Sequence, residues 1–252
     1  MSTLFGFGDS FTQGHNLDTT YEVYKKWREL REDKKLPETW FDLLSNKLEY
    51  EGRNYAVAGM SNSEIIDTIN CHVKEFQKGD IVIINWTYTH RFRWATYLKD
   101  KNGNYIFDGS PRKKTAIWKR LGITLFDQDS IYINPKTQLD IAENNSNQLY
   151  VQEIYNYENI LDRLAESVGF KVFYWSADPY IIYNLEYEFK KQPKYIYNLR
   201  VPHGKNFFWL INFYGGKTIA QECEPHLYDM HLGEKGHQVQ FELFYKYINE
   251  TF

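Results

Sequence analysis

The sequence predicts an α/β domain built on a doubly wound parallel sheet, and three observations carry that expectation. Short apolar runs that read as buried strands (TLFGFG, RNYAVAG, DIVIINWT and FKVFYWS) recur along the chain. Segments with apolar residues at helical spacing separate them, and turn residues stand at the junctions. Strands alternating with helices through right-handed crossovers close into one parallel sheet with helices on its faces. At 252 residues the chain is long enough for a single domain with a sizeable core.

Taken in order, TLFGFG is a short strand ended by Asp9 and Ser10. In PETWFDLLSNKLEYEG the apolar residues Trp40, Leu43, Leu44 and Leu48 share a helical stripe, which predicts a helix beginning after Pro37 and stopping at Gly52. RNYAVAG is a second strand turning at Gly59. SNSEIIDTINCHVKEF is a second helix, with Ser61 as its cap and Glu64 in the capping-box position. Lys78-Gly79-Asp80 forms a turn into DIVIINWT, a β-branched run suited to a central strand covered on both faces.

From about 88 to 146 the pattern fails: turns at KNGN, DGSP and INPKT, with many aromatics, predict an inserted loop or small subdomain over one end of the sheet. QLYVQEIYNYENILDRLAESVG is then a helix ended by Gly169, and FKVFYWSADP a fourth strand. A second irregular aromatic segment spans roughly 180–224, before the amphipathic helix LGEKGHQVQFELFYKYINE.

Composition narrows the function classes. With 42% hydrophobic and 25% charged residues and a net charge of -3, the chain suits neither a disordered segment, nor a nucleic-acid surface, nor an anionic membrane. Its apolar runs fall far short of a membrane span, and no secretory signal is visible, so the expectation is a soluble cytoplasmic protein. Cys71 and Cys223 lack metal-ligand spacing and are expected to be buried thiols; no metal or other cofactor is implied. The aromatic share, 18%, is large enough for some rings to line a cleft where flat sugar faces or peptides stack, the alternative being extra core under long loops.

In a doubly wound sheet the site lies beyond the carboxyl ends of the strands. There the sequence places Asp9-Ser10, Gly59-Met60-Ser61-Asn62 and Asn85-Trp86-Thr87, with Asp229-Met230-His231 before the last helix. A serine needs a base within hydrogen-bond reach and donors for the oxyanion formed on attack. Ser10 is the candidate nucleophile, the N–H groups of Ser10 and Gly59 the donors, His231 the base and Asp229 its orienting acid, in triad logic. Trp86, Tyr88 and His90, where the insertion begins, are candidate substrate contacts.

Plainer readings stand beside these. Ser10 could be a helix cap, and Asp9 reads as a structural residue holding the turn. His226 is an alternative base, while His237 belongs to the final helix and His72 to a charged helix face. GFGDSF partly matches a dinucleotide-binding fingerprint, but Phe11 stands where the third glycine is wanted. The G-x-S-x-G elbow of the α/β-hydrolase fold is absent around Ser10.

GDSFTQG, Gly59 with the following Ser61-Asn62, and DMHLGEKGH, in this order over nearly the whole chain, resemble the sequence blocks of the SGNH (GDSL-type) hydrolases. DIVIINWTYTHR followed by an aromatic insertion is similar to members of this group in bacteriophage genomes. The resemblance implies a flavodoxin-like three-layer α/β/α sandwich and a cofactor-free serine esterase acting on O-acyl, above all O-acetyl, esters of carbohydrates or lipids. It implies Ser10 as nucleophile, Ser10 and Gly59 amides in the oxyanion hole and His231 as base.

Two departures stand out. Where the family has Gly-x-Asn-Asp, with the asparagine as third oxyanion donor, this chain aligns Asn85 with the glycine and Thr87 with the asparagine; either could donate. The usual acid lies three residues before the histidine, a position held here by Tyr228, with Asp229 only two before. An SGNH-fold module that binds glycans, for instance on a virion, with catalysis weak or lost, is therefore the alternative. An acyltransferase using the same triad is a third reading.

Overall fold

The computed structural model describes residues 2–14, 38–87, 147–176 and 232–250, the separate positions 178, 181, 185, 189 and 190, and the backbone of 92–97 and 116–121. The protein is α/β. Its main sheet contains β1 (Thr3–Phe7), β2 (Glu51–Asn54), β3 (Ile81–Trp86) and β6 (Lys171–Ser176), all parallel, in the order β2-β1-β3-β6. A separate antiparallel pair, β4 (Phe92–Tyr97) with β5 (Ala116–Leu121), comes from the region expected to be inserted. The rest of that insertion and the aromatic segment 191–224 lie outside the described residues.

The helices are α1 (Ser10–Gln13), α2 (Trp40–Leu48), α3 (Asn62–His72), α4 (Asn147–Val168) and α5 (Glu234–Glu250), with a 3-10 turn at Val73–Glu75. Because side chains alternate across a strand, the sheet sorts its apolar residues onto two faces. Phe5, Phe7, Val82, Ile84, Trp86, Val172 and Tyr174 pack with Ile65 and Ile69 of α3 and Val151, Ile154 and Leu161 of α4. Leu4, Ile81, Ile83, Phe173 and Trp175 pack with Trp40, Phe41 and Leu44 of α2 and Phe244 and Ile248 of α5. The expected central strand is β3, buried along its whole length between β1 and β6.

Several boundaries follow the expected chemistry. The capping box at Ser61 and Glu64 is formed in both directions, and α4 stops at Gly169, whose φ of 91° suits only glycine well. The expected helix to Gly52 ends earlier: Glu49 takes a left-handed conformation (φ 58°) as its cap, and Gly52 lies inside β2. The expected strand RNYAVAG is thereby shifted toward the N-terminus, though its ladder continues beyond Asn54. Tyr55 N–H donates to the Gly6 carbonyl at 2.8 Å and Val57 N–H to Gly8 at 3.1 Å.

One further expectation is corrected. Cys71 is exposed, not buried, lying on the outer side of α3 while Ile65, Ile66 and Ile69 face the core. His72 lies beside charge as expected, with Nδ1 2.7 Å from Glu75 Oε1, and its ring also stacks on Tyr55 at 3.7 Å. Cys223 lies outside the described residues. Among the described residues no helix is long and apolar enough to cross a membrane.

Candidate active site

The strand order places a change of winding direction at β1: the chain passes from β1 to β2 on one side, and β3 lies on the other. A crevice opens at such a point, beyond the carboxyl ends of the strands. The segment at the end of β1 is the four-residue helix α1, with Asp9 as N-cap and Gly14 closing it in the left-handed region (φ 77°). A helix so short has no stability of its own. The hydrogen bonds it makes to the surrounding elements therefore decide where its first residue, Ser10, sits.

Those bonds come from four neighbouring segments. Trp40 of α2 donates its indole N–H to the Phe11 carbonyl at 3.0 Å, and Asn54 of β2 donates its side-chain amide to the Thr12 carbonyl at 2.8 Å. The Gln13 side-chain carbonyl accepts from Ala58 N–H at 2.6 Å, tying α1 to the turn that carries Gly59. From β3, Asn85 Nδ2 donates to Asp9 Oδ1 at 2.7 Å and Thr87 Oγ1 donates to Asp9 Oδ2 at 2.6 Å. Asp9 Oδ1 also accepts from Phe11 N–H at 3.1 Å, the cap bond itself.

Backbone geometry allows this convergence. Pairing of Phe7 with Ile84 sets Gly8 beside Asn85. A Cβ on Gly8, whose φ is 154°, would lie 2.7 Å from Asn85 Cβ and 2.8 Å from Thr12 Oγ1. Only glycine lets β1 turn this close to β3. Thr87 is in turn held by Asn62 at the start of α3: Thr87 N–H donates to Asn62 Oδ1 at 2.8 Å, and Asn62 Nδ2 donates to the Thr87 carbonyl at 3.0 Å.

Ser10 is buried, 4% exposed, at the head of α1. Gly59 (φ 78°) is half-buried in the neighbouring turn, and no hydrogen bond from its N–H is present among the described residues. Asn85 and Thr87, expected as alternative oxyanion donors, both bond to Asp9, Asn85 through one of its two amide protons. Thr87 has one hydroxyl proton, and it points at a carboxylate.

Trp86, expected against substrate, is corrected to a core residue. Strand alternation sends its ring to the face opposite Asn85, where it is fully buried, stacked with Tyr174, and donates Nε1–H to Glu158 Oε1 at 2.7 Å. Tyr88, His90, His226, Asp229 and His231 lie outside the described residues. His237 is structural: buried in the first turn of α5, it accepts the Trp40 N–H at Nδ1, 3.2 Å away.

Sequence reasoning anticipated Asp9 as the residue that holds the turn, but not the partners it draws from β3, nor Asn62 behind them. A polar residue at each of three strand or helix ends was the available signal. Comparison with models of known protein families and with curated proteins finds no match for this chain.

Proposed function

We propose that the chain is a serine esterase or deacylase of the SGNH type, its helices and sheet arranged as a flavodoxin-like three-layer sandwich. The strand order β2-β1-β3-β6 supports that arrangement, being the winding of flavodoxin-like sheets as far as the parallel strands run. The observation that carries the functional reading is the placement of Ser10. It begins a short helix at the winding change of the sheet, braced by β2, β3 and α2 and tied through Gln13 to the turn that carries Gly59.

In this reading Ser10 Oγ attacks the acyl carbonyl while His231 takes its proton. The tetrahedral oxyanion is held by the Ser10 and Gly59 N–H groups. His231 then protonates the leaving alcohol, and water, deprotonated by the same histidine, releases the acid. Asp229 orients the imidazole. The acyl group is O-linked, with acetyl on a carbohydrate as the favoured substrate, and the aromatic residues between 88 and 146 form the pocket. The protein acts in solution, without metal or cofactor.

One observation favours the alternative of a weakly active or inactive glycan-binding module. The single hydroxyl proton of Thr87 and one of the two amide protons of Asn85 are committed to Asp9, so the end of β3 offers the oxyanion at most the second Asn85 N–H. Loss of one such donor costs on the order of 10²-fold to 10³-fold in rate.

The test is intact-mass spectrometry after exposure to a fluorophosphonate, beside Ser10→Ala and His231→Ala. The esterase reading expects a single adduct on the wild type that both variants lose. A folded wild type that takes no adduct, while a known serine hydrolase labels alongside, overturns it in favour of the binding module.

A further inference from the structure

We infer that Asp9 is a positioning residue for Ser10, acting through the end of β3, where the Thr87 hydroxyl and one N–H of the Asn85 amide serve its carboxylate. The inference rests on Ser10 being the nucleophile. Asp9 is fully buried, so its carboxylate depends on protein donors in place of water. Asn85 Nδ2 at 2.7 Å and Thr87 Oγ1 at 2.6 Å are charge-assisted bonds, shorter than the 3.1 Å bond from Phe11 N–H.

Side-chain orientation points the same way. The Asn85 amide turns its N–H to Asp9, although this leaves Asn85 Oδ1 buried without a partner among the described residues. The reverse orientation would set that oxygen against a carboxylate. Thr87 is fixed independently through its backbone by Asn62, so the hydroxyl reaches Asp9 from an anchored strand end. Asp9 thus couples the residue just before Ser10 to β3, and Phe11 N–H couples it to the residue just after. A local cap alone would need only the last of these bonds.

A positioning role predicts a loss of reactivity without a change in the base. The experiment measures the second-order rate of fluorophosphonate labelling at Ser10 across pH for the full-length wild type, Asp9→Asn, Thr87→Val and Thr87→Ser. Urea unfolding is followed for each. Misplacement of a reacting group by about 1 Å costs roughly 100-fold, so Asp9→Asn and Thr87→Val are expected to lower the plateau rate by about that factor. Thr87→Ser, which keeps the hydroxyl, recovers most of the rate, and the pH midpoint of labelling stays in place in all four proteins.

Wild-type labelling by Asp9→Asn overturns the inference. So does equal loss in Thr87→Ser and Thr87→Val, and so does a shifted midpoint, which would put Asp9 on the base. The Thr87 pair carries the test should Asp9→Asn unfold. A wild type that does not label overturns the serine reading itself and this inference with it, an outcome distinct from a labelled wild type with an equally reactive Asp9→Asn.

Discussion

At the scale of single residues, the site depends on what is absent at Gly8 as much as on what is present at Asp9. Gly8→Ala puts a methyl group 2.7 Å from Asn85 Cβ, closer than packed carbons approach, and the overpacking is expected to cost about 1–3 kcal/mol. A lower urea midpoint at unchanged slope would check it; an unchanged midpoint would show that β1 and β3 yield at no cost. The role of Asp9 as a cap was readable from its place after an apolar run and before Ser10. Its bonds to Asn85 and Thr87 were not, because 76 and 78 residues separate the partners and only the sheet order makes them neighbours. Trp86 was misjudged for a related reason: sequence put it at the functional edge, but strand alternation turns its ring into the helical layer of α3 and α4.

At the scale of elements, legibility followed the strength of the local signal. The continuous apolar run of β3, the Ser61–Glu64 box of α3 and the Gly169 stop of α4 each have one physical reading, and the structure has all three. The end of α2 had none, since Glu49 closes it in a backbone conformation that a glycine would normally announce. β2 begins with the polar sequence Glu51-Gly52-Arg53-Asn54, mostly exposed, which carries no strand alternation. Glu49→Gly should therefore raise stability, by about 1 kcal/mol, through relief of the left-handed conformation. Ser61→Ala should lower it by a similar amount, about 1 kcal/mol, as a lost N-cap. Denaturant midpoints of the two variants moving in opposite directions would bear this out; a loss of stability in Glu49→Gly would count against the backbone argument.

At the scale of the whole molecule, the abundance of tyrosine sets a limit on alkaline stability. Burial pushes the Tyr174 phenol well above its ordinary range, with the Glu158 and Asp162 carboxylates adding to the effect, and burial does the same, with help from Asp67, for Tyr157. Both phenols ionise more readily in the unfolded chain. The stability they lend is fully present below the ordinary tyrosine pKa, near 10, and is lost as pH rises toward the raised folded values. Phenolate absorbance during alkaline titration should then show a late class of tyrosines that ionises together with unfolding, and Tyr174→Phe should shrink that class. A smooth titration of every tyrosine in the folded protein would refute this. The bracing of Ser10 also has a kinetic meaning. The bonds of Asp9 to Asn85 and Thr87 close over long stretches of chain, and Trp40, which holds the Phe11 carbonyl, is itself capped from 197 residues away by His237. Contacts of such separation form late in folding. A nascent or partly folded chain would carry Ser10 as an ordinary, unreactive serine, so acquisition of its reactivity during refolding would time the final docking of α5.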